Sequence, residues 1–245
     1  MIMADKTLTL EQIRLVERGA LADGLPLMQR AGAVAAAFVM QHSAPGARIL
    51  VLAGPGNNGG DALVTARLLR AHGYLVHVVL PADPNQFPRD AAEAYAQWRA
   101  TGGVEVKALP GFVSAGLPDS PREGSQDFPR EGLPDFAREG LPDLVIDGLF
   151  GIGLSRPLGD HWQAIVDTVN GLGCPILALD IPSGLDAQTG DALGRPIQAT
   201  WTIAFIAPAQ ALATPQGRRL AGECVCDRLG LTETMIARYL GASAG

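Results

Sequence analysis

Three times along this chain, a short apolar segment of strand length runs directly into a turn rich in glycine, aspartate and proline. The first turn spans residues 54–61 (GPGNNGGD), the second 147–157 (DGLFGIGLSRP) and the third 180–186 (DIPSGLD). Glycine and asparagine tolerate left-handed backbone angles and close approach of a ligand. Such a turn between a strand and a helix points backbone N–H groups at a bound anion. The first turn, and its repetition, therefore predict phosphate-binding loops at the ends of strands.

The segments between these turns alternate between strand-like and helical patterns. The apolar strands are continuous rather than alternating, as is typical of a parallel sheet covered by helices on both faces. The sequence thus predicts a doubly wound α/β domain. The expected strands lie at 48–53, 75–80, 104–109, 144–149, 175–181, 200–206 and 223–227, and the expected helices among and after them at 61–72, 89–101, 160–172 and 232–240.

Two further helices are expected before the first strand. Thr9 and Gln12 have the spacing of a capping box, so a helix should begin beside them. A second, alanine-rich helix is predicted over residues 26–42. Together they form an N-terminal helical arm, which either covers a face of the sheet or meets a second subunit.

Composition excludes several classes of function. The 245-residue chain carries a formal charge of −6, so no basic field is present to hold a nucleic acid. Cys174, Cys224 and Cys226 do not have the spacing of a disulfide framework or a zinc site, and we expect them to be reduced packing residues. Without a signal-peptide pattern or an apolar run of about 20 residues, the chain is expected to be cytoplasmic and not embedded in a membrane.

One region departs from the alternating pattern. Gly-Leu-Pro-Asp begins at positions 116, 132 and 140, and Arg-Glu-Gly at 122, 130 and 138. Proline and glycine at this density do not sustain a helix or a central strand. We expect a single domain over residues 1–245, with this repeat inserted at about 110–142 as a surface excursion or, alternatively, a lid.

The three turns should converge, because the carboxyl ends of parallel strands meet at one edge of a sheet, where α/β proteins bind ligands. The first turn lacks the third glycine of the dinucleotide fingerprint and the lysine of a P-loop, which disfavours an ordinary dehydrogenase or a kinase-like enzyme. Asp147 and Asp180 follow apolar strands, where a carboxylate is costly to bury without a partner. Oxygens of Asn58, Asp147 and Ser183 would form a shell suited to a hard cation.

Each of these residues also has a purely structural interpretation. Asn57 and Asn58 supply turn geometry in many proteins. Asp61 could simply complement the dipole of the following helix. Ser183 could cap its own turn.

The three motifs together closely resemble the YjeF N-terminal domain family, the NAD(P)HX epimerases, over nearly the whole chain outside the repeat. The resemblance implies a Rossmann-like three-layer αβα sandwich with a mostly parallel sheet, usually dimeric, that interconverts the R and S epimers of hydrated NADH or NADPH. It implies a potassium ion held at Asn58, Asp147 and Ser183. The positions it implies for substrate contact are Asn57, Asn58, Gly59, Gly60, Asp61, Gly151, Ile152, Gly153, Leu154, Ser155, Arg156, Pro157 and Asp180.

For the chemistry we expect Asp180 to be the catalytic acid/base group, because epimerisation at a hydroxyl-bearing carbon beside a ring nitrogen requires loss and re-addition of water. One departure is that family members commonly carry a lysine where this chain has Ala209. The competing interpretation is a non-catalytic nucleotide-binding or scaffold module of the same fold. Many bacterial relatives continue into a dehydratase domain, and this chain is expected to act with a separate one.

Overall fold

The computed structural model describes residues 7–107, 109 and 141–241. Within them, seven strands form one sheet in the order β3-β2-β1-β4-β5-β6-β7, and every strand pair is parallel. The strands are β1 (Arg48–Ala53), β2 (Leu75–Val79), β3 (Glu105–Val106), β4 (Leu144–Gly148), β5 (Ile176–Leu179), β6 (Trp201–Phe205) and β7 (Glu223–Asp227). The helices are α1 (Leu10–Ala22), α2 (Leu27–His42), α3 (Asn57–Ala71), α4 (Arg89–Ala100), α5 (Asp160–Asn170), α6 (Pro215–Ala221) and α7 (Glu233–Gly241).

The Rossmann-like α/β prediction is confirmed by this topology. The chain order reverses at β1, whose neighbours are β2 and β4. Strands β1, β4 and β5 are buried almost throughout, because helices cover both faces of the sheet. Two apolar clusters fill the layers: one lies under α2, α3 and α4, and the other under α5. The sheet is parallel at every described pairing, where the expectation was only mostly parallel.

The N-terminal helices are confirmed, but they belong to the body of the domain. The capping box is present, since the Thr9 hydroxyl accepts from the Gln12 N–H and the Gln12 side chain accepts from the Thr9 N–H. Helix α2 packs closely on α3, where Gly32 lies against Val64. Helix α1 packs on α7, and the Asp23 carboxylate accepts from the Tyr239 hydroxyl at 2.6 Å. The arm therefore covers one face of the sheet and joins the C-terminal helix.

Two sequence predictions need correction. Helix α3 begins at Asn57, four residues earlier than expected, so residues 57–60 form its first turn rather than a loop. Helix propensity disfavours glycine, but packing of this turn overrides it. The strand expected at 104–109 is reduced to Glu105–Val106 at the edge of the sheet. Residues 110–140, which carry nearly all of the repeat, lie outside the described residues. Among the described helices, none is long and apolar enough to cross a bilayer.

Candidate active site at the carboxyl edge of the sheet

A cavity of about 640 Å³ opens at the carboxyl edge of the sheet, a size typical of small-molecule and cofactor sites. Its polar wall comes from the start of α3, the turn after β4 and Asp180 after β5. Its apolar wall comes from α1, α2 and the ends of β6 and β7, and includes Leu27, Met28 and Phe205. The converging turns expected from the sequence thus share one cavity with the two N-terminal helices.

The first turn of α3 opens directly into this cavity. Gly56 caps the helix without a side-chain hydrogen bond, so backbone N–H groups at this terminus remain available to a ligand. Asn58 follows in the same turn and is only 8% exposed, yet neither Oδ1 nor Nδ2 has a hydrogen-bond partner among the described residues. A buried amide without partners is costly. The side chain of Asn58 is therefore positioned to bind a ligand or an ion in the cavity.

Two glycines hold the first and second turns against each other. A Cβ atom on Gly54 would lie 1.7 Å from the carbonyl oxygen of Leu149, so only glycine fits between β1 and the turn after β4. A Cβ atom on Gly151 would lie 2.7 Å from Oδ2 of Asp180 and 3.4 Å from the side chain of Asn58. Glycine is needed here because the two turns and Asp180 approach each other closely.

Asp147 lies at the end of β4 and is completely buried behind the cavity wall. Its Oδ1 accepts from the Ser183 hydroxyl at 2.7 Å and the Leu149 N–H at 3.2 Å, while Oδ2 accepts from the Ser183 N–H at 2.8 Å. The Ser183 hydroxyl also accepts from the Phe150 N–H at 2.9 Å. Burial raises the pKa of Asp147 to about 6 against the opposing effect of these hydrogen bonds. The pair ties the turn after β4 to the turn after β5.

Asp180 faces the cavity from the end of β5. Its Oδ2 accepts from the Ile152 N–H at 3.0 Å, which connects it to the turn after β4. Burial raises the pKa of Asp180 to about 6, and the Ile152 hydrogen bond partly offsets that rise. A carboxyl group that titrates near neutral pH is suited to both donating and accepting a proton. The geometry thus supports the acid/base role expected from the sequence.

Backbone strain is concentrated around the same cavity. In the described part of the chain, only three residues other than glycine have positive φ: Asp180 (67°), Ile206 (68°) and Leu229 (52°). Each follows the carboxyl end of a strand, β5, β6 or β7, and each lines the cavity. A branched side chain such as that of Ile206 rarely adopts this conformation, and such strain accumulates at functional sites.

Three carboxyl groups join Asp180 in the cavity wall. Asp61 on α3 was expected, whereas Glu17 on α1 and the exposed Asp90 on α4 were not. Burial raises the pKa of Asp61 well above its ordinary range, and the charges of Asp180 and Glu17 raise it further. Glu17 was missed because α1 shows no pattern other than an amphipathic helix. The one available signal was a glutamate that follows the buried Val16 and stands three residues before the buried Ala20.

The structure places most of the expected substrate-contact residues on the cavity wall: Asn57, Asn58, Asp61, Gly151, Ile152, Gly153, Leu154, Ser155, Arg156 and Asp180. Gly59 and Gly60 are instead buried inside the first turn of α3, and Pro157 lies beyond the wall. Ala209 is 2% exposed within an apolar cluster that includes Ile13 and Ile181. It is not part of the cavity wall.

Comparison with known proteins agrees with this architecture. The family model described as YjeF-related protein N-terminus matches residues 24–211. The NAD(P)H-hydrate epimerase of Achromobacter xylosoxidans is 50% identical over 225 residues, which cover 91% of this chain and 95% of that protein. The bifunctional NAD(P)H-hydrate repair enzyme of Leishmania braziliensis is 37% identical over 86% of this chain, which spans 34% of that longer protein.

The fold is also similar to that of a solved structure. The crystal structure of the yeast protein YNL200c superimposes with a TM-score of 0.72 and covers 96% of this chain and 93% of that one, at 17% identity. Identity this low relates the folds alone. The family model matches residues 24–211, and the bacterial relative is 50% identical over most of the chain. The chain therefore belongs to the family of proteins related to the YjeF N-terminus.

Proposed function

We propose that this chain is an NAD(P)H-hydrate epimerase, which interconverts the R and S forms of hydrated NADH or NADPH. One observation carries the proposal: a chain that is 50% identical to a relative named for this activity, over 91% of its own length, has a cavity with Asp180 on its wall. Asp180 is half-buried and faces the cavity, a position suited to a group that exchanges protons with a bound substrate.

The reaction is an exchange of water at one carbon. Asp180 in its protonated form donates a proton to the hydroxyl, the carbon–oxygen bond breaks and water leaves. The lone pair of the adjacent ring nitrogen forms a double bond to that carbon, which leaves a cationic iminium. Water then adds to the opposite face, the electron pair returns to nitrogen, and a carboxylate takes the proton. Negative charge on the cavity wall stabilises the iminium more than the uncharged hydrated ring, which lowers the barrier.

The first turn of α3 and the turn after β4 bind the rest of the dinucleotide. Free N–H groups at the start of α3, beginning at Asn57, are suited to the pyrophosphate. Arg156 lines the same cavity and is exposed enough to reach a phosphate at its mouth. The apolar wall around Leu27 and Phe205 is suited to a planar ring.

Residues Asn58, Asp147 and Ser183 fit a potassium ion. The Asn58 Oδ1 is buried without a partner, and the Asp147 Oδ2 accepts a single hydrogen bond, so both retain lone pairs. Oxygen ligands with one negative charge suit a hard cation. When bound, the ion would neutralise Asp147 and fix the turns after β1, β4 and β5 relative to one another. In the described part of the chain, no group of three His, Cys, Asp or Glu side chains forms a site of the transition-metal type.

Three further assignments accompany this proposal. The protein works as a homodimer, it acts in the cytoplasm, and a separate dehydratase consumes the epimer that it supplies. The dehydratase partnership is motivated by the relative from Leishmania braziliensis, whose name describes a bifunctional repair enzyme. Sedimentation equilibrium of the purified chain tests the dimer, and a single species at the monomer mass would contradict it.

The test of the activity uses the purified chain and hydrated NADH enriched in one epimer, with and without potassium. Chromatography follows the approach of the epimer ratio to equilibrium. We expect a rate far above the spontaneous one, and faster in potassium than in an equal concentration of sodium. Tight binding of hydrated NADH without any acceleration would instead favour the non-catalytic binding module.

A further inference from the structure

The cavity wall contains four carboxyl groups from four different elements: Glu17 on α1, Asp61 on α3, Asp90 on α4 and Asp180 after β5. The remaining charged residues on that wall are Arg14 and Arg156. Among the described residues, no ion pair or hydrogen bond neutralises the Glu17 side chain. The nearby unpartnered amide of Asn58, which is 8% exposed, independently marks this cavity as a ligand site.

Inversion of configuration at a bound carbon requires more proton transfers than a single fixed carboxyl group can perform. Water leaves from one face of the ring and returns to the other, so proton exchange is needed on both faces. If Asp180 serves one face, either the ring turns over in the cavity or a second group serves the other face. The cavity offers three further carboxyl groups, Asp61, Glu17 and Asp90, of which Asp90 is exposed to solvent.

Position distinguishes Asp61 from Glu17, since both are half-buried. Asp61 lies on α3, which together with Asp180 forms the polar wall of the cavity, whereas Glu17 lies on α1, which belongs to the other wall. Burial together with the charges of Asp180 and Glu17 raises the pKa of Asp61 well above its ordinary range. Burial is the main cause that raises the pKa of Glu17 to about 7. The charge of Asp180 raises it further, and Arg14 and Arg18 oppose the rise.

We propose that Glu17 is a second proton-transfer residue of the epimerase, exchanging a proton with the hydroxyl or water on the ring face that Asp180 does not serve. The inference rests on the proposed function. In one direction Glu17 protonates the departing hydroxyl and the Asp180 carboxylate accepts a proton from the incoming water. In the other direction the two residues exchange roles, and no electrons are gained or lost.

The charge of Asp180 acts on Glu17, and this interaction suits a pair in which one residue acts as the acid and the other as the base. Two carboxyl groups that repel each other release their protons in separate steps, so over a range near neutral pH one of them is protonated while the other is ionised. That is the state in which an acid and a base are both available. The pH dependence of turnover should therefore show two ionisations near neutral pH, and Glu17 should contribute the upper one.

The experiment compares Glu17→Gln with wild type and with Glu11→Gln, a control for an exposed glutamate on the same helix outside the cavity. We expect E17Q to lower kcat by about 100-fold or more, with KM changed by less than about threefold, since proton transfer by a positioned group contributes on this scale. The ionisation near pH 7 should disappear from the pH profile of E17Q and persist in E11Q. Glu17→Asp should recover part of kcat together with the ionisation.

The outcomes separate this inference from the function on which it rests. If wild type accelerates epimerisation and E17Q matches it in kcat and pH profile, Glu17 is not a proton-transfer residue and the epimerase assignment stands. If wild type itself gives no acceleration, both proposals are wrong. Should E17Q fail to fold, Glu17→Ala decides: kcat and a pH profile identical to those of wild type would overturn the role of Glu17.

Discussion

The Ser183 hydroxyl donates a 2.7 Å hydrogen bond to Oδ1 of Asp147, and both side chains are fully buried. Because the same hydroxyl accepts from the Phe150 N–H, one serine joins the ends of β4 and β5. This link holds the second and third turns in the arrangement that forms the cavity wall. A buried carboxylate depends on such donors, since a missing partner leaves it incompletely solvated.

Replacing Ser183 with alanine should therefore destabilise the protein. We expect the free energy of unfolding to fall by about 1–3 kcal/mol, because Asp147 loses a donor and Phe150 loses an acceptor inside the protein. Chemical denaturation measures the change. Ser43→Ala is the matched control, since the Ser43 hydroxyl also donates a hydrogen bond, in this case to the carbonyl of Val39, and does not line the cavity. Equal losses in the two variants would contradict the role assigned to Ser183.

The unpartnered amide of Asn58 leads to a prediction about potassium. Asn58→Ala removes one ligand oxygen without changing the net charge. We expect the potassium concentration for half-maximal activation to rise by about tenfold or more, because the loss of one interaction worth about 1.4 kcal/mol weakens binding tenfold. Titration of epimerase activity with potassium chloride at constant ionic strength measures it. Asn85→Ala, at an exposed position, should behave as wild type. Identical potassium dependence in wild type and N58A would remove Asn58 from the site.

The sequence predicted the sheet and the location of the site because both depend on local patterns. Continuous apolar runs such as 48–53 indicate buried parallel strands, and turns at their carboxyl ends must meet at one edge. The first turn of α3 was predicted as a loop because Asn57, Asn58 and two glycines have low helix propensity. In the fold, tight packing against Gly54 and α2 favours the helical conformation there.

Other features of the site depend on tertiary packing that no local pattern records. Glu17 reaches the cavity because α1 packs against α7 and α2. The positive φ angles of Ile206 and Leu229 likewise have no sequence signal, since neither residue type favours that conformation. Sequence reasoning therefore located the turns after β1, β4 and β5 and missed the wall contributed by the N-terminal helices.

Gly54 provides a test of the close approach between the first and second turns. Gly54→Ala would bring a Cβ atom to 1.7 Å from the Leu149 carbonyl oxygen, and a backbone group cannot move aside as a side chain can. We expect a loss of about 3 kcal/mol or more in unfolding free energy, at the upper end for overpacked sites. Gly171→Ala, where the added atom meets only ordinary contacts at 3.4 Å, is the control. A G54A protein as stable as G171A would contradict this geometry.

Asp180→Asn separates chemistry from binding. The amide cannot exchange a proton, so we expect kcat to fall by about 100-fold to 10,000-fold. Binding of the dinucleotide should persist, because the N–H groups of α3 and the turn after β4 remain in place. Isothermal titration with hydrated NADH measures binding, and chromatography measures turnover. Asp186→Asn, outside the cavity wall, serves as the matched control. Turnover in D180N at the wild-type rate would exclude Asp180 from proton transfer.

The raised pKa values also predict how stability depends on pH. The pKa of Glu17 rises from 4.5 to about 7 on folding, so between those values the folded state binds more protons than the unfolded state. The slope of the unfolding free energy against pH is proportional to the number of protons bound in the unfolded state minus the number bound in the folded state. That difference is negative in this window, so the unfolding free energy decreases as pH rises. Asp180, whose pKa rises to about 6, acts in the same direction.

Glu17→Gln removes the Glu17 contribution, so we expect the variant to be more stable than wild type at pH 8 and nearly equal at pH 4.5. Each pKa unit corresponds to about 1.4 kcal/mol, and partial solvent access reduces the gain to roughly 1–2 kcal/mol at pH 8. Thermal denaturation of wild type, E17Q and E11Q from pH 4.5 to 8 measures it. A difference between E17Q and wild type that stays constant across this range would show that Glu17 titrates alike in the folded and unfolded chain.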